Sequence, residues 1–380
     1  MTASSNAFVD YIREEIAKAF GVISFERFMA LLLYHPTWGY YCSPTFRLGK
    51  EGDFTTAPEL SPLFAKCLTK PINQALADLP QKAILELGAG SGRLALDLLK
   101  ALEAEGNLPE RYLIYEISPV LREKQRVFLQ SSAPKLISRI EWLAHLPSNF
   151  TGVIIANEVL DALPVHRFQV TETGCKEVGV TWHQDGFHWK MHETKNDLLL
   201  QKAAEITHEC RLYPGYTSEI NLNLMAYIEA ISESLTQGSV LFADYGYGRR
   251  EYYHPERNNG TLTCFTKHRL GANPLLNPGC QDITAHVDFT LLAESATGSG
   301  LTLDGYTTQA SFLLENGLME LAAEEEKTCS ETDAFRLHQA IKTLTFPTEM
   351  GERIKIMALS KNMTNKISAG FNLHDRRRDL

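Results

Sequence analysis

The chain has 380 residues, 44% apolar and 22% charged, which fits an ordinary globular protein of one large domain or two. Its formal net charge of −9 argues against non-specific nucleic-acid binding, which draws on a basic surface. The seven cysteines (42, 67, 175, 210, 264, 280, 329) form no C-x-x-C pair, and their odd number suits reduced thiols better than a disulfide frame. The twelve histidines show no tight ligand spacing, so no metal is expected. No apolar stretch approaches the roughly 20 residues that span a bilayer. Met1–Lys18 carries neither a secretory signal nor a transit-peptide pattern, so a cytoplasmic, bacterial location is expected.

Residues 7–33 predict two helices, the second capped by Ser24 and burying Phe25, Phe28, Met29, Leu32 and Leu33 on one face. His35–Tyr41 and Gly52–Glu59 are polar or proline-broken and predict loops, and a helix is expected over 62–77. The pattern then alternates: strand 83–87, helix 92–104, strand 111–116, helix 119–130, strands 139–143 and 152–157. Such alternation predicts an α/β, Rossmann-like fold with a mostly parallel sheet and helices on both faces. Three antiparallel strands between 165 and 192 interrupt it, and helices resume at 197–209 and 221–236. A buried strand over 239–246, a polar irregular stretch to 279, a strand entering a helix at 282–289, a helix over 337–344 and a closing strand over 353–359 complete the reading. The basic end, His374–Asp379, reads as a frayed tail.

The stretch Ala83-Ile-Leu-Glu-Leu-Gly-Ala-Gly-Ser-Gly-Arg93 organises this pattern. A strand runs into a turn with Gly88, Gly90 and Gly92, and a helix follows. Glycine lets backbone approach a nucleotide, and the helix aims N–H groups at it. The spacing is G-x-G-x-G rather than the dinucleotide G-x-G-x-x-G, and Glu86 precedes the first glycine by two residues. A carboxylate there repels a pyrophosphate and suits the amino and sulfonium groups of S-adenosylmethionine (SAM). Glu116, ending the next strand, is placed to accept ribose hydroxyls. Asn157 and Glu158 fall at a third strand end, where open α/β sheets bind ligands.

Several stretches together resemble the MidA-type family of SAM-dependent methyltransferases: Gly52–Glu59, Glu86–Gly92, Tyr115–Pro119, Asn157–Val165, Tyr216–Asn221, Asp244–Gly246 and Pro278–Phe289. They span most of the chain in order, whereas residues 165–215 and the tail carry little of the likeness. Ala89 and Ser91 stand where the family often has proline and a basic residue. The resemblance implies a class I methyltransferase fold. The family's mitochondrial members are arginine methyltransferases that assist assembly of respiratory complex I. By resemblance, the expected acceptor is an arginine of a protein partner, with a respiratory-chain subunit and a homodimer among the partners the family suggests. The implied division is a helical cap and lid loop (1–80), a SAM-binding core (81–164), an inserted β/α substrate region (165–236) and the rest of the core with C-terminal additions (237–380).

Within this reading Glu86, Gly88, Gly90, Gly92, Glu116 and Asn157 bind the cofactor, and Asp53, Thr55 and Thr56 form a lid over it or a capped turn. Glu158 clamps the acceptor guanidinium, with Asp161 helping if a helical turn puts the two acids on one face; otherwise Asp161 caps a turn. Glu219 and Asn221 serve a substrate cleft or cap the following helix, and His286 and Asp288 line the site or are structural. Two rivals stand beside this: an NAD-dependent oxidoreductase, and a non-catalytic assembly factor on a methyltransferase fold.

Overall fold

The computed structural model describes residues 3–43, 55–184, 186–266, 269–271 and 273–380. In chain order its strands are β1 (Ala83–Leu87), β2 (Arg111–Tyr115), β3 (Ile140–Leu143), β4 (Phe150–Asn157), β5 (His166–Thr171), β6 (Gly174–His183), β7 (Gly186–His192) and β8 (Thr217–Ile220). They continue as β9 (Leu235–Tyr247), β10 (Thr263–Thr266), β11 (Arg269–Gly271), β12 (Asp282–Thr284), β13 (Val287–Asp288), β14 (Thr302–Thr308) and β15 (Ile354–Lys361). The chain forms two compact units. One comprises Met1–Phe54, Leu160–Ala226 and Tyr247–Phe289; the other comprises Thr55–Val159, Tyr227–Gly246 and Thr290–Leu380.

The second unit holds a sheet in the order β14-β15-β9-β4-β1-β2-β3. The strands from β9 to β3 are parallel, while β15 and β14 run antiparallel at the other end. A parallel sheet needs both faces covered, and its central strands read as unbroken apolar runs: all five residues of β1 are buried. In the helix Arg93–Ala104, Leu94, Leu98 and Leu102 recur every four residues and pack with Ile84, Tyr112 and Val153 in one core. This is the α/β, Rossmann-like architecture expected from the alternation, and the strand ends carrying Glu86, Glu116 and Asn157 lie along one edge of parallel strands, because β1, β2 and β4 pair in register.

The first unit is built differently. Its strands pair antiparallel in the order β7-β6-β5-β8, with a small second sheet β11-β10-β12. Helices Ala3–Lys18, Phe25–Tyr34 and Asp197–Cys210 belong to it, the second opened by Ser24 and the third by Asn196, each accepting a backbone N–H at 3.0 Å. Phe168, Leu199, Ala203, Ile206 and Tyr216 form a core of their own.

The structure departs from the sequence reading in five stretches. Thr217-Ser-Glu-Ile220 is too polar to signal a strand, yet all four residues are buried because β8 pairs with β5. Ala57–Leu60 is a short helix within the stretch expected to be loop, and Arg249–Tyr252 and β10–β11 lie within the stretch expected to be irregular. The alternation marked no element over 302–315, where β14 and the helix Gln309–Glu315 stand. The C-terminal tail is docked rather than frayed. The Glu315 carboxylate accepts N–H bonds from Gly370, Asn372 and Leu373 at 3.0–3.1 Å, and Arg376 donates its N–H to the Tyr306 carbonyl at 2.7 Å.

Candidate active site

The site in the second unit is built on the turn after β1. Gly88, Gly90 and Gly92 have φ of +65°, +55° and +83°, a region that side chains rarely adopt, so the turn requires glycine at all three. Gly88 donates its N–H to the Tyr115 carbonyl at 2.9 Å, which ties the turn to the end of β2. A Cβ on Gly88 would lie 3.1 Å from a methyl of Val159. The Ser91 hydroxyl accepts the Arg93 N–H at 3.2 Å and donates to Glu59.

Glu86 is buried, and the Tyr112 hydroxyl donates to its Oε2 at 2.7 Å. Burial pushes its carboxyl up to about 7, against the Tyr112 hydrogen bond, and the Glu116 charge adds to the rise. Glu116 is buried too. Ser118 N–H donates to its Oε1 at 2.9 Å and Gln125 Nε2 to its Oε2 at 3.2 Å. Burial raises the Glu116 carboxyl, and these two donors pull it back.

At the end of β4, Asn157 Nδ2 donates to Glu158 Oε1 at 3.0 Å, while Asn157 Oδ1 is buried and meets no donor among the described residues. Glu158 itself has φ of +52°, a conformation costly for a residue with a Cβ. Its N–H donates to the Ala243 carbonyl at 2.8 Å, and its Oε1 also accepts the Ala57 N–H at 3.2 Å. Asp244 fixes the next residue, accepting the N–H of Val159 at 3.0 Å and of Tyr245 at 2.9 Å.

Thr56 is the N-cap of the short helix Ala57–Leu60 without a side-chain capping bond, and Thr55 is half-buried beside it. Asp53 lies outside the described residues. The expected helical turn joining Glu158 to Asp161 is not formed. Glu158 has left-handed backbone, and residues 160–163 make a turn closed by Leu163 N–H on the Leu160 carbonyl at 3.2 Å. Asp161 falls in the first unit, where it is buried and its carbonyl accepts the Ala285 N–H at 2.9 Å.

The remaining candidates of the first unit have structural partners. Asn221 caps the helix Leu222–Ser234 by accepting the Leu224 N–H at 3.0 Å. Glu219 is fully buried, 3.4 Å from Arg167 Nε without hydrogen-bond geometry, and its Oε2 accepts the Thr261 N–H at 2.7 Å. Asp288 lies 3.5 Å from Arg249 Nε, and the His286 ring stands edge-on to Tyr247 at 5.2 Å. The sequence reading overlooked Tyr112, Gln125, Ser91, Glu59 and Asp244 as site-building groups. Only Asp244 carried a local signal, an acid before a glycine at a strand end.

The second unit's set fits SAM. Its two buried carboxylates suit a ligand with a positive end and a diol, the orphaned Asn157 oxygen seeks a donor, and the glycine turn leaves room for close approach. Residues 67–307 match the model of a family described as S-adenosyl-L-methionine-dependent methyltransferases. The chain belongs to this methyltransferase family. A COG1565 superfamily member from Burkholderia thailandensis, crystallised with S-adenosyl-homocysteine, is 38% identical, with a TM-score of 0.93 over all of this chain and 97% of that one. The mitochondrial protein arginine methyltransferase NDUFAF7 of Bos taurus is 30% identical over 94% of this chain and 85% of its own length. That of Mus musculus is 28% identical over 94% and 86%. The methyltransferase thus uses SAM as its cofactor. No helix among the described residues is long and apolar enough to cross a membrane.

Proposed function

We propose that this methyltransferase modifies an arginine side chain of a protein partner. Glu158 carries the reading: a carboxylate held on strained backbone at the end of β4, in the same unit as the glycine turn. The name of the mammalian relatives supports the acceptor class.

When bound, SAM supplies an electrophilic methyl group. Glu86 faces the cofactor's cationic end, because its buried charge meets no cation among the described residues. Glu116 takes the ribose hydroxyls, and its carboxylate is already oriented by Ser118 and Gln125. Gly88, Gly90 and Gly92 let backbone close on the ligand, and Asn157 Oδ1 offers it an acceptor. Thr55 and Thr56, ahead of the short helix Ala57–Leu60, help to exclude water from it.

An arginine acceptor has a pKa above about 12, so it arrives charged and weakly nucleophilic. Glu158 binds its fork of N–H donors and draws positive charge towards the nitrogens it holds, leaving the far nitrogen richer in electrons. The carboxylate of Glu158 also takes the proton that the guanidinium gives up on methylation.

Incubation with methyl-labelled SAM, a bacterial extract and arginine-containing peptides, followed by acid hydrolysis, is expected to yield labelled methylarginine. Glu158→Gln should lower transfer at least about a hundredfold while retaining cofactor binding. Label found only on lysine, carboxylates or small molecules would overturn the arginine reading. Cofactor binding with no transfer to any acceptor would favour an assembly factor.

A further inference from the structure

Gln125 lies two turns into the helix Pro119–Ser132 and is fully buried. Its Nε2 donates to the Gly90 carbonyl at 3.0 Å and to Glu116 Oε2 at 3.2 Å, and its Oε1 accepts from Trp142 Nε1 at 3.0 Å. An indole N–H only donates, so Trp142 dictates where the amide oxygen points. The amide's two hydrogens then face two acceptors, one on the glycine turn and one on the acid that ends β2. The same helix holds the other Glu116 oxygen through Ser118, whose hydroxyl caps it by accepting the Leu121 N–H at 3.3 Å. Trp142, on β3, is half-buried, with the Arg126 guanidinium 5.1 Å from its ring centre.

We propose that Gln125 is a positioning residue for the cofactor, locking the glycine turn to the ribose-binding carboxylate, with Trp142 setting its amide orientation. The proposal rests on the assignment of SAM to this site. A neutral amide suits the task for a chemical reason. It aims Glu116 without cancelling its charge, so the carboxylate stays a strong acceptor for hydroxyls. A lysine here would neutralise Glu116, and a glutamate would repel it and the Gly90 carbonyl.

The test is titration of the full chain with S-adenosyl-homocysteine at pH 6 and pH 8, using Gln125→Ala, Gln125→Glu and Trp142→Phe. Gln125→Ala should bind about tenfold more weakly at both pH values, as expected for losing a hydrogen bond to a charged group. Gln125→Glu should be weaker still at pH 8 and recover at pH 6, because a protonated carboxyl again donates to Glu116 or Gly90. That pH-dependent rescue separates positioning from simple packing. The ligand should also change tryptophan emission, and Trp142→Phe should remove most of that change while weakening binding severalfold. The proposal is overturned if folded Gln125→Ala binds within twofold of the parent, or if the deficit of Gln125→Glu is equal at both pH values. If the Gln125 variants do not fold, Trp142→Phe decides: unchanged affinity and unchanged ligand-induced emission overturn the proposal. Failure of the parent chain itself to bind would strike the cofactor assignment, a result distinct from any of these.

Discussion

Two pairs of buried glutamates, one pair in each unit, are met in opposite ways. In the antiparallel unit Glu219 and Glu177 are answered by a cation or a histidine: Glu219 meets Arg167, and Glu177 accepts from His166 at 2.8 Å with His192 at 3.8 Å. Burial works against Glu177, but His166 and Thr194 hold its carboxyl below the usual range. Burial pushes Glu219 up and the Arg167 guanidinium down, against their mutual attraction. In the parallel unit Glu86 and Glu116 are met directly by neutral donors, Tyr112, Ser118 and Gln125. A buried acid with its own cation is a structural element. Glu86 and Glu116, met at hydrogen-bond distance by neutral donors, are costly to keep charged, which suits the proposed cofactor site.

The largest expected effect breaks the compensated side of this contrast. Glu219→Ala leaves Arg167 buried and unpaired and should destabilise folding by about 3–5 kcal/mol in denaturant unfolding. Replacing Arg167 and Glu219 together by leucine should cost less than Glu219→Ala alone. If the single variant is harmless, the pair is not what holds β5 to β8.

The uncompensated side predicts the reverse sign. The Glu86 carboxyl, raised from its ordinary 4.5 to about 7, makes the folded ligand-free protein bind more protons than the unfolded chain between those values. Its contribution to stability therefore falls as pH rises through that window, by up to about 3 kcal/mol. Glu86→Gln should be as stable as the parent at pH 5 and more stable at pH 8 by calorimetry, while losing affinity for S-adenosyl-homocysteine. A variant that is less stable at pH 8 would show that Glu86 serves the fold.

The smallest effect sharpens the boundary between site and scaffold. Asn221→Ala removes only a helix cap and should cost about 1 kcal/mol in thermal unfolding, with methyl transfer unchanged. A loss of transfer at intact stability would return Asn221 to the substrate cleft.

Much of the parallel unit was legible because its signals are local. Strand β1 was read at its observed bounds, and the glycine turn and the acids ending β1 and β2 were visible from spacing. The antiparallel unit hid more. Strand β8 reads as Thr-Ser-Glu-Ile and becomes a strand only through β5, and Glu219 reads as a cleft residue or a cap until Arg167 is brought beside it. Gln125 gave no signal, since a glutamine in an amphipathic helix is expected at the surface, and its partners come from the Gly90 turn, Glu116 and β3. The left-handed backbone of Glu158 was equally invisible, because β9 imposes it through the Ala243 carbonyl.

The sequence by itself determined the alternation of strand and helix, the need for glycine at 88, 90 and 92, and the acids at strand ends, because periodicity and backbone sterics act within a few residues. Only the tertiary structure decided that Glu219 meets a cation while Glu86 meets a neutral hydroxyl, that Asp161 does not share a helical face with Glu158, and that the tail is pinned by Glu315. Those outcomes depend on groups far apart in the chain, whose meeting no local pattern encodes.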